Sequence, residues 1–327
     1  DAKNKGLKIV PCCGFDCIPP DMACLMMTNY LKDTKEVTNI DEVRFIVTEA
    51  NGGVSGGTLA SVINLFATSS FSLLLKLGSP YFLNPSIGDT ILDPPGQMMI
   101  ESRNADRVFV DHDTMFTNVY KYLFSTHNAD LQLNGSSTGY MAPWAMQAIN
   151  TRIVNRSNAL SNWTYGEQFV YSERLMLSLL PGLMYTLVVQ PAMMVMLLVP
   201  PLRWLLKNII PQPGAGPSVE SEKTARFRAV MWGRGTRANG DVVTACGSVC
   251  INGDAGYRKT ATMLSEAALS LALDFERCPN GSASDANNNN ASCGVVTPAI
   301  AMGTRLLERF EENKKEGILF KCYDKEF

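Results

Sequence analysis

Between Arg174 and Arg203 the chain runs from Leu175 to Leu202 without a single charged side chain, a stretch of 28 residues. Nothing else in the sequence restricts the possible folds so tightly. As one helix it would be about 42 Å long, more than a bilayer core of about 30 Å requires. Pro181-Gly182, Pro191 and Pro200-Pro201 punctuate it, and proline breaks a helix by removing a donor and crowding the preceding turn. The expectation is therefore two short apolar helices forming a re-entrant or monotopic hairpin. A kinked span and a buried helical pair are the alternatives. Membrane contact is favoured over the buried pair, because the apolar length exceeds the usual range of a core helix. Trp204 and Lys207, just after Arg203, read as interfacial anchors.

The composition narrows the function classes. Lys and Arg number 29 against 31 Asp and Glu, a net charge of −2 over 327 residues. No basic run suggests a nucleic-acid partner. Nine cysteines, an odd number without a C-x-x-C pair, indicate neither a disulfide framework nor a zinc knuckle. They read as buried or idle thiols in a reducing compartment. Two histidines exclude a three-histidine metal site and argue against a Ser-His-Asp hydrolase. Asp111 to Asp113, flanking His112, reads as a solvated strand end, so no metal is expected.

Elsewhere the punctuation is α/β. Lys8 to Cys13 reads as a short buried strand closed by a turn at Gly14; such a strand has neighbours on both sides, so the chain is expected to begin mid-domain. A helix follows, with Pro20 at its first position, Asp21 at its positive end, and Met22, Leu25, Met26 and Tyr30 on one face. Val43, Phe45 and Val47 alternate as in a half-exposed strand. Gly52, Gly53, Gly56 and Gly57 form a loop, and Leu59, Val62, Ile63 and Phe66 have helical spacing with Thr58 as N-cap. Met146, Ile149 and Ile153 mark another helix, interrupted by Asn150, Arg152, Arg156 and Ser157. Past a Pro/Gly linker at 209–217, two alternating stretches read as antiparallel strands, with Gly233 and Gly235 assigned to their turn. A helix at 257–275, a polar low-complexity loop at 281–294 and a final helix at 297–317 complete the chain.

The glycine loop sits between a strand and a helix, where phosphate loops occur. It lacks the Gly-Lys-Ser/Thr ending of a P-loop, and no G-x-G-x-x-G fits from Gly52 or Gly53. It can still hold an anion or admit a ligand closely. Residue by residue, the reading stops at an α/β ligand-binding protein attached to a membrane surface.

The stretch CGFDCIPPD at Cys13 to Asp21, followed by GGVSGGTLAS at Gly52 to Ser61, resembles the saccharopine dehydrogenase-like oxidoreductase family, which includes bacterial trans-acting enoyl reductases. The family pattern is close to CGFDSIPSD, so Cys17 and Pro20 stand where serines are common. Spaced blocks continue the resemblance: the 142–160 segment, YGEQFVYSE, GPSVESEK, DAGYRKTATMLSEAALSLA, and a last block in which Cys293 replaces a glycine. The resemblance implies an N-terminal Rossmann domain with a glycine-rich dinucleotide loop, which this chain lacks. That phosphate site is expected upstream, and the chain alone should bind NADP or NAD poorly.

On this reading the fold is α/β, with α+β character in the second domain. Residues 1–24 are the last strand and loop of a truncated Rossmann domain. Residues 25–173 and 211–300 form a mixed-sheet substrate domain, interrupted by the apolar hairpin at 174–210. Residues 301–327 form a helix returning to the Rossmann half. The resemblance implies a nicotinamide-dependent reductase of a lipid-linked substrate. Cys13, Gly14 and Phe15 would lie beside the cofactor, Asp16, Ser55 and Thr58 at the reacting centre, and Gly53, Asn150, Arg152, Arg156 and Ser157 around the substrate's polar part. Asp16 and Asp21 as helix caps, and structural roles for the polar residues of the 147–160 region, are the competing readings. The expected setting is the cytosolic face of a membrane or lipid droplet, reached through Leu175–Leu202, with a homodimer left open. A membrane-associated protein that keeps the fold with little enzyme activity is the rival; amino-acid chemistry is disfavoured, since it gives the apolar segment no purpose.

Overall fold

The computed structural model describes residues 2–52, 55–76, 78–87, 90–91, 93–94, 140–211, 214, 216, 219–274 and 293–323. Gly53, the Asp111–Asp113 stretch, His127, Cys278 and the polar loop as far as residue 292 lie outside them. In chain order the elements are β1 (Lys8–Ile9), α1 (Ile18–Asn29), β2 (Val37–Asn51), α2 (Gly56–Thr68), α3 (Phe71–Lys76), β3 (Ser86–Ile87), β4 (Thr90–Ile91), β5 (Tyr140–Pro143), α4 (Gln147–Leu160), β6 (Val170–Leu177), α5 (Leu179–Leu198), α6 (Pro200–Ile209), α7 (Val219–Thr224), β7 (Arg226–Arg237), β8 (Val242–Asn252), α8 (Thr260–Leu273), β9 (Gly294–Val295), α9 (Pro298–Met302), α10 (Thr304–Glu312) and β10 (Ile318–Tyr323).

The fold is α/β, as expected, around a mixed six-stranded sheet in the order β10-β8-β7-β2-β6-β5. Only β2 and β6 run parallel within it. β2 is the long central strand, and Val43, Phe45, Ile46 and Val47 are all buried rather than alternating. A strand covered on both sides loses its period-two signature. Register shifts at three places skip Thr38, Asp41 and Thr48 and keep β2 paired with β7 from Val37 to Asn51, as bulges do.

α1 packs across this sheet and is buried nearly all round: Met22, Ala23, Cys24 and Met27 are inaccessible, as is Leu31 in the π turn that continues it at Tyr30–Thr34, while Leu25, Met26 and Tyr30 are only partly covered. It starts at Ile18, which puts Pro20 at its third residue. Gly233 and Gly235 lie inside β7, not in the turn, which falls between Arg237 and Asp241 with Gly240 at φ +89°. Gly233 is required by packing, since a Cβ there would stand 2.7 Å from Met27 Sδ. Gly233→Val is expected to cost about 1–3 kcal/mol by overpacking, read as a lower urea midpoint at unchanged slope.

Three further expectations change. Lys8 to Cys13 is not a buried strand: β1 is two residues paired in parallel with β9, and Leu7 and Ile9 are exposed. The helix at 297–317 is broken at Gly303, with φ +55° and ψ −144°, and the chain continues as β10 on the edge of the main sheet. In the charge-free segment, Leu175–Leu177 completes β6 and α5 then runs unbroken for 20 residues. Pro181 falls in the first turn of α5, where its missing donor costs nothing. Ahead of Pro191 the helix widens into a π turn at Tyr185–Val189, which relieves the clash of the proline ring with the preceding turn. The chain breaks only at Val199, extended at φ −89° and ψ 114°, as the residue before a proline prefers. α6 then folds back, and Leu197 and Leu206 bury against Ile63 of α2.

Candidate functional site

The two strand-to-helix loops singled out in the sequence meet. Asp16 Oδ2 accepts a hydrogen bond from Thr58 Oγ1 at 3.3 Å, and the Thr58 hydroxyl lies 2.9 Å from Ser55 Oγ. Ser55, not Thr58, is the N-cap of α2: its side chain accepts from Thr58 N at 3.0 Å. Ser55 has the extended backbone an N-cap needs, whereas Thr58 already lies within the first turn. Burial raises the Asp16 carboxyl above its ordinary range, and the Thr58 bond opposes that only in part. Asp16 is thus positioned by another loop rather than by capping its own helix.

A third segment closes the site. Gly56 N donates to the Tyr257 hydroxyl at 3.1 Å, and Phe15 N donates to Thr260 Oγ1 at 3.1 Å. A Cβ on Gly14 would come within 3.0 Å of Thr260 Cγ2, so the loop passes close over α8. The Phe15 ring meets Phe227 edge-on, with centroids 4.8 Å apart. Asp254 holds the turn that carries Tyr257, accepting from Tyr257 N at 2.6 Å and Arg258 N at 3.2 Å. Its other oxygen is buried without a hydrogen-bond partner. Tyr257, Thr260 and Asp254 were not identified from sequence. Their one signal was the block DAGYRKT, which resembles the family without showing which residue faces a ligand.

The remaining candidates are placed differently. Cys13 is buried, with its thiol against Val10 O (3.4 Å) and Pro11 O (3.7 Å), and burial pushes it up to about 11. Asn150 donates to Glu173 Oε2 at 3.1 Å, and Tyr171 donates to Glu173 Oε1 at 2.7 Å. Ser157 donates to Asp21 Oδ1 at 2.6 Å and lies 2.6 Å from Thr297 Oγ1, while Ala299 N donates to Asp21 Oδ2 at 2.8 Å. Asp21 therefore caps α9 rather than its own helix. Burial raises Asp21 and Glu173 each to about 7. Arg156 reaches the carbonyls of Leu83 and, at 2.5 Å, Val295; Arg152 is half-buried on α4. These hydrogen bonds of Asn150, Arg156 and Ser157 tie α4 to its neighbours and do not extend to the Asp16–Thr58–Tyr257 cluster.

The cluster supplies hydroxyls, a carboxyl of raised proton affinity and an aromatic wall. It does not fit the pyrophosphate of a dinucleotide. The Gly56 amide is engaged by Tyr257 and the Thr58 amide by Ser55, and those first-turn donors are what a phosphate would need. Among the described residues no group of three or more His, Cys, Asp or Glu could hold a metal ion.

No family model and no solved structure matches the chain. Its sequence is similar to that of a Mycobacterium tuberculosis (strain ATCC 25618 / H37Rv) protein provisionally named a trans-acting enoyl reductase, at 30% identity over 320 residues, covering 94% of this chain and 66% of that protein. A trans-acting enoyl reductase of Mycobacterium ulcerans (strain Agy99) is 28% identical over 327 residues, covering 95% and 67%. One from Mycobacterium leprae (strain TN) is 26% identical over 320 residues, covering 94% and 66%. The chain spans 66% of the length of the first of these relatives, just under two thirds.

Proposed function

We propose that this chain is the substrate-handling part of an oxidoreductase that reduces an acyl double bond in a lipid-linked substrate, using a nicotinamide cofactor held largely by sequence outside it. The carrying observation is the meeting of Asp16, Thr58 and Tyr257 at the start of α2, in a chain similar over almost its whole length to proteins named enoyl reductases. When bound, the nicotinamide supplies a hydride to the β-carbon of the enoyl group. The chain's own residues then have two tasks. The Tyr257 hydroxyl donates its proton to the acyl oxygen as negative charge develops there, the enol then takes a solvent proton at the α-carbon and returns the oxygen's proton to Tyr257, and Asp16 with Thr58 orients the acyl carbonyl beside it. The saccharopine dehydrogenase-like assignment, and the choice of NADP or NAD, belong to this proposal.

The lipid surface belongs to it as well. Only 11% of the apolar window of α5 is buried. Gly182, Thr186 and Leu197 face the protein, with Gly182 against the Tyr140 ring and Gln190 donating to Pro143 O at 3.1 Å. Leu180, Met184, Leu187, Val188 and Val195 face outward. The large apolar side chains therefore point away from the body, the reverse of a soluble surface helix. Both ends of α5 rest on the same body, which favours side-on insertion into one leaflet over a span. The far end of α2 packs on this hairpin, so one helix links the reacting cluster to the lipid.

Two measurements test the proposal. NADPH and NADH are titrated into the protein extended to the full length of its relatives. Binding of either below about 1 mM is expected, within the usual range for enzymes; absence of both overturns the reductase reading and leaves the rival, a membrane-associated protein of this fold without activity. In the same protein, Tyr257→Phe is expected to lower kcat by about 10²–10⁴-fold with KM little changed. An unchanged kcat removes Tyr257 from the chemistry.

A further inference from the structure

Across α2, α5 and α6 the sequence holds two charged side chains, Arg203 and Lys207, both positive and both on α6. None of the chain's 31 acidic residues falls between 175 and 219, or between 50 and 88 around α2. A chain of net charge −2 thus carries a local excess of positive charge on its most apolar part. The strands beneath α5 do not cancel it. β6 brings Glu173 and Arg174, both buried, the first held by Asn150 and Tyr171 and the second by Gln147; β5 brings no charge. Arg203 and Lys207 are four residues apart, so one turn separates them on the same side of α6. That side lies between the buried Leu206 and Trp204, which is 69% exposed. Arg203 Nη2 donates to Leu198 O at 3.5 Å, which keeps the guanidinium at the corner where α6 folds back from α5. Lys207 is exposed, and so are Leu205 and Ile209 beyond Trp204.

We infer that the α5–α6 hairpin docks on a leaflet of anionic phospholipid, with Arg203 and Lys207 taking headgroup phosphates beside Trp204. The inference rests on the lipid-surface reading of α5 and adds to it the kind of lipid. The apolar face of α5 supplies depth without selectivity, because neutral and anionic lipids share the same tails. α6 supplies the selectivity. Long basic side chains lay their stems along apolar surface and hold their charge at headgroup level, and an exposed indole settles at the same depth. A neutral surface would gain nothing from the two cations. A second copy fits less well, since an isologous contact between hairpins would bring together only positive charges. Two basic residues beside an anionic leaflet correspond to about 30-fold in partition.

The chain is floated with vesicles of phosphatidylcholine alone and with vesicles of phosphatidylcholine mixed with phosphatidylserine, at low salt. Partition onto the mixed vesicles is expected to be tighter by about 30-fold. Salt at about 1 M, which shortens the screening length to about 3 Å, should erase the difference. In the double variant Arg203→Gln/Lys207→Gln the two partitions should become equal. Equal partition of the wild type, with flotation on both vesicles, overturns the inference and leaves the lipid reading of α5 standing. A preference that survives in the double variant belongs to other residues and overturns the assignment to α6. Flotation on neither vesicle, with a dimer in solution, overturns both readings and gives the face to a second copy. The wild-type ratio and its salt dependence decide the question without the variant.

Discussion

Replacing Leu180, Met184, Leu187 and Val188 together by serine is expected to lower binding to phosphatidylcholine vesicles by about 10³-fold. These side chains are 71%, 51%, 48% and 50% exposed, so each still has roughly half its apolar surface to lose to a lipid phase. Full burial of such a side chain gives about 1.5–3 kcal/mol. Half of that over four residues is about 4 kcal/mol, or about three decades in a partition constant. Because the four face away from the body, the denaturant midpoint should scarcely move. Vesicle flotation of both proteins is the measurement. Equal partition would remove the lipid assignment from this face; weak partition by both, together with a wild type that dimerises through α5, would assign the face to a second copy instead.

The second large effect is on stability, and its sign is the reverse of ordinary acid denaturation. Asp21 moves from 3.8 to about 7 and Glu173 from 4.5 to about 7, burial being the leading cause for both. The folded state therefore holds protons that the unfolded chain has released, and stability falls as pH rises wherever that holds. The contribution is complete below about pH 4, declines through the range between, and is gone above about pH 7. Three units on Asp21 alone correspond to about 4 kcal/mol at 1.36 kcal/mol per unit, an upper figure for a fully buried group. Asp274 acts oppositely, because Arg309 and Arg305 hold its carboxyl below the usual range, so its support is lost in strong acid. Unfolding free energy should be greatest near pH 5 and lower by a few kcal/mol at pH 8. Asp21→Asn keeps an acceptor for Ala299 N and a donor toward Ser157 without the charge, so it should flatten this slope and stabilise the protein at pH 8. Parallel curves for wild type and variant would show that Asp21 is not the titrating group.

Much of the fold was legible in the sequence wherever neighbouring positions differ in polarity or in turn chemistry. The β7–β8 hairpin and α8 fall close to where alternation and helical spacing put them. The errors share one cause. β2 looked half-exposed because Glu42, Arg44 and Glu49 lie among its apolar residues, yet Glu42 is buried against Arg44 at 2.5 Å. Gly233 looked like a turn because a glycine needed for close approach and one needed for a turn are the same letter. Asp21 looked like a cap for α1, but its oxygens serve Ala299 of α9 and Ser157, 278 and 136 positions away in the chain.

The same division holds for the site. Asp16, Ser55 and Thr58 were legible because each sits where a strand hands over to a helix, a place fixed by local pattern. Tyr257 and Thr260 were not, since their partners Gly56 and Phe15 lie 201 and 245 residues away. By itself the sequence determined that residues 175–202 are too apolar to face water without a reason, that the chain alternates strands and helices, and that its glycine loop has the spacing of neither a P-loop nor a dinucleotide loop. Only the tertiary structure decided which side of α5 faces out and which groups converge on α2. Periodicity assigns the faces of a helix through their difference in polarity, and α5 has almost none, so contact with Tyr140 and Ile63 had to choose.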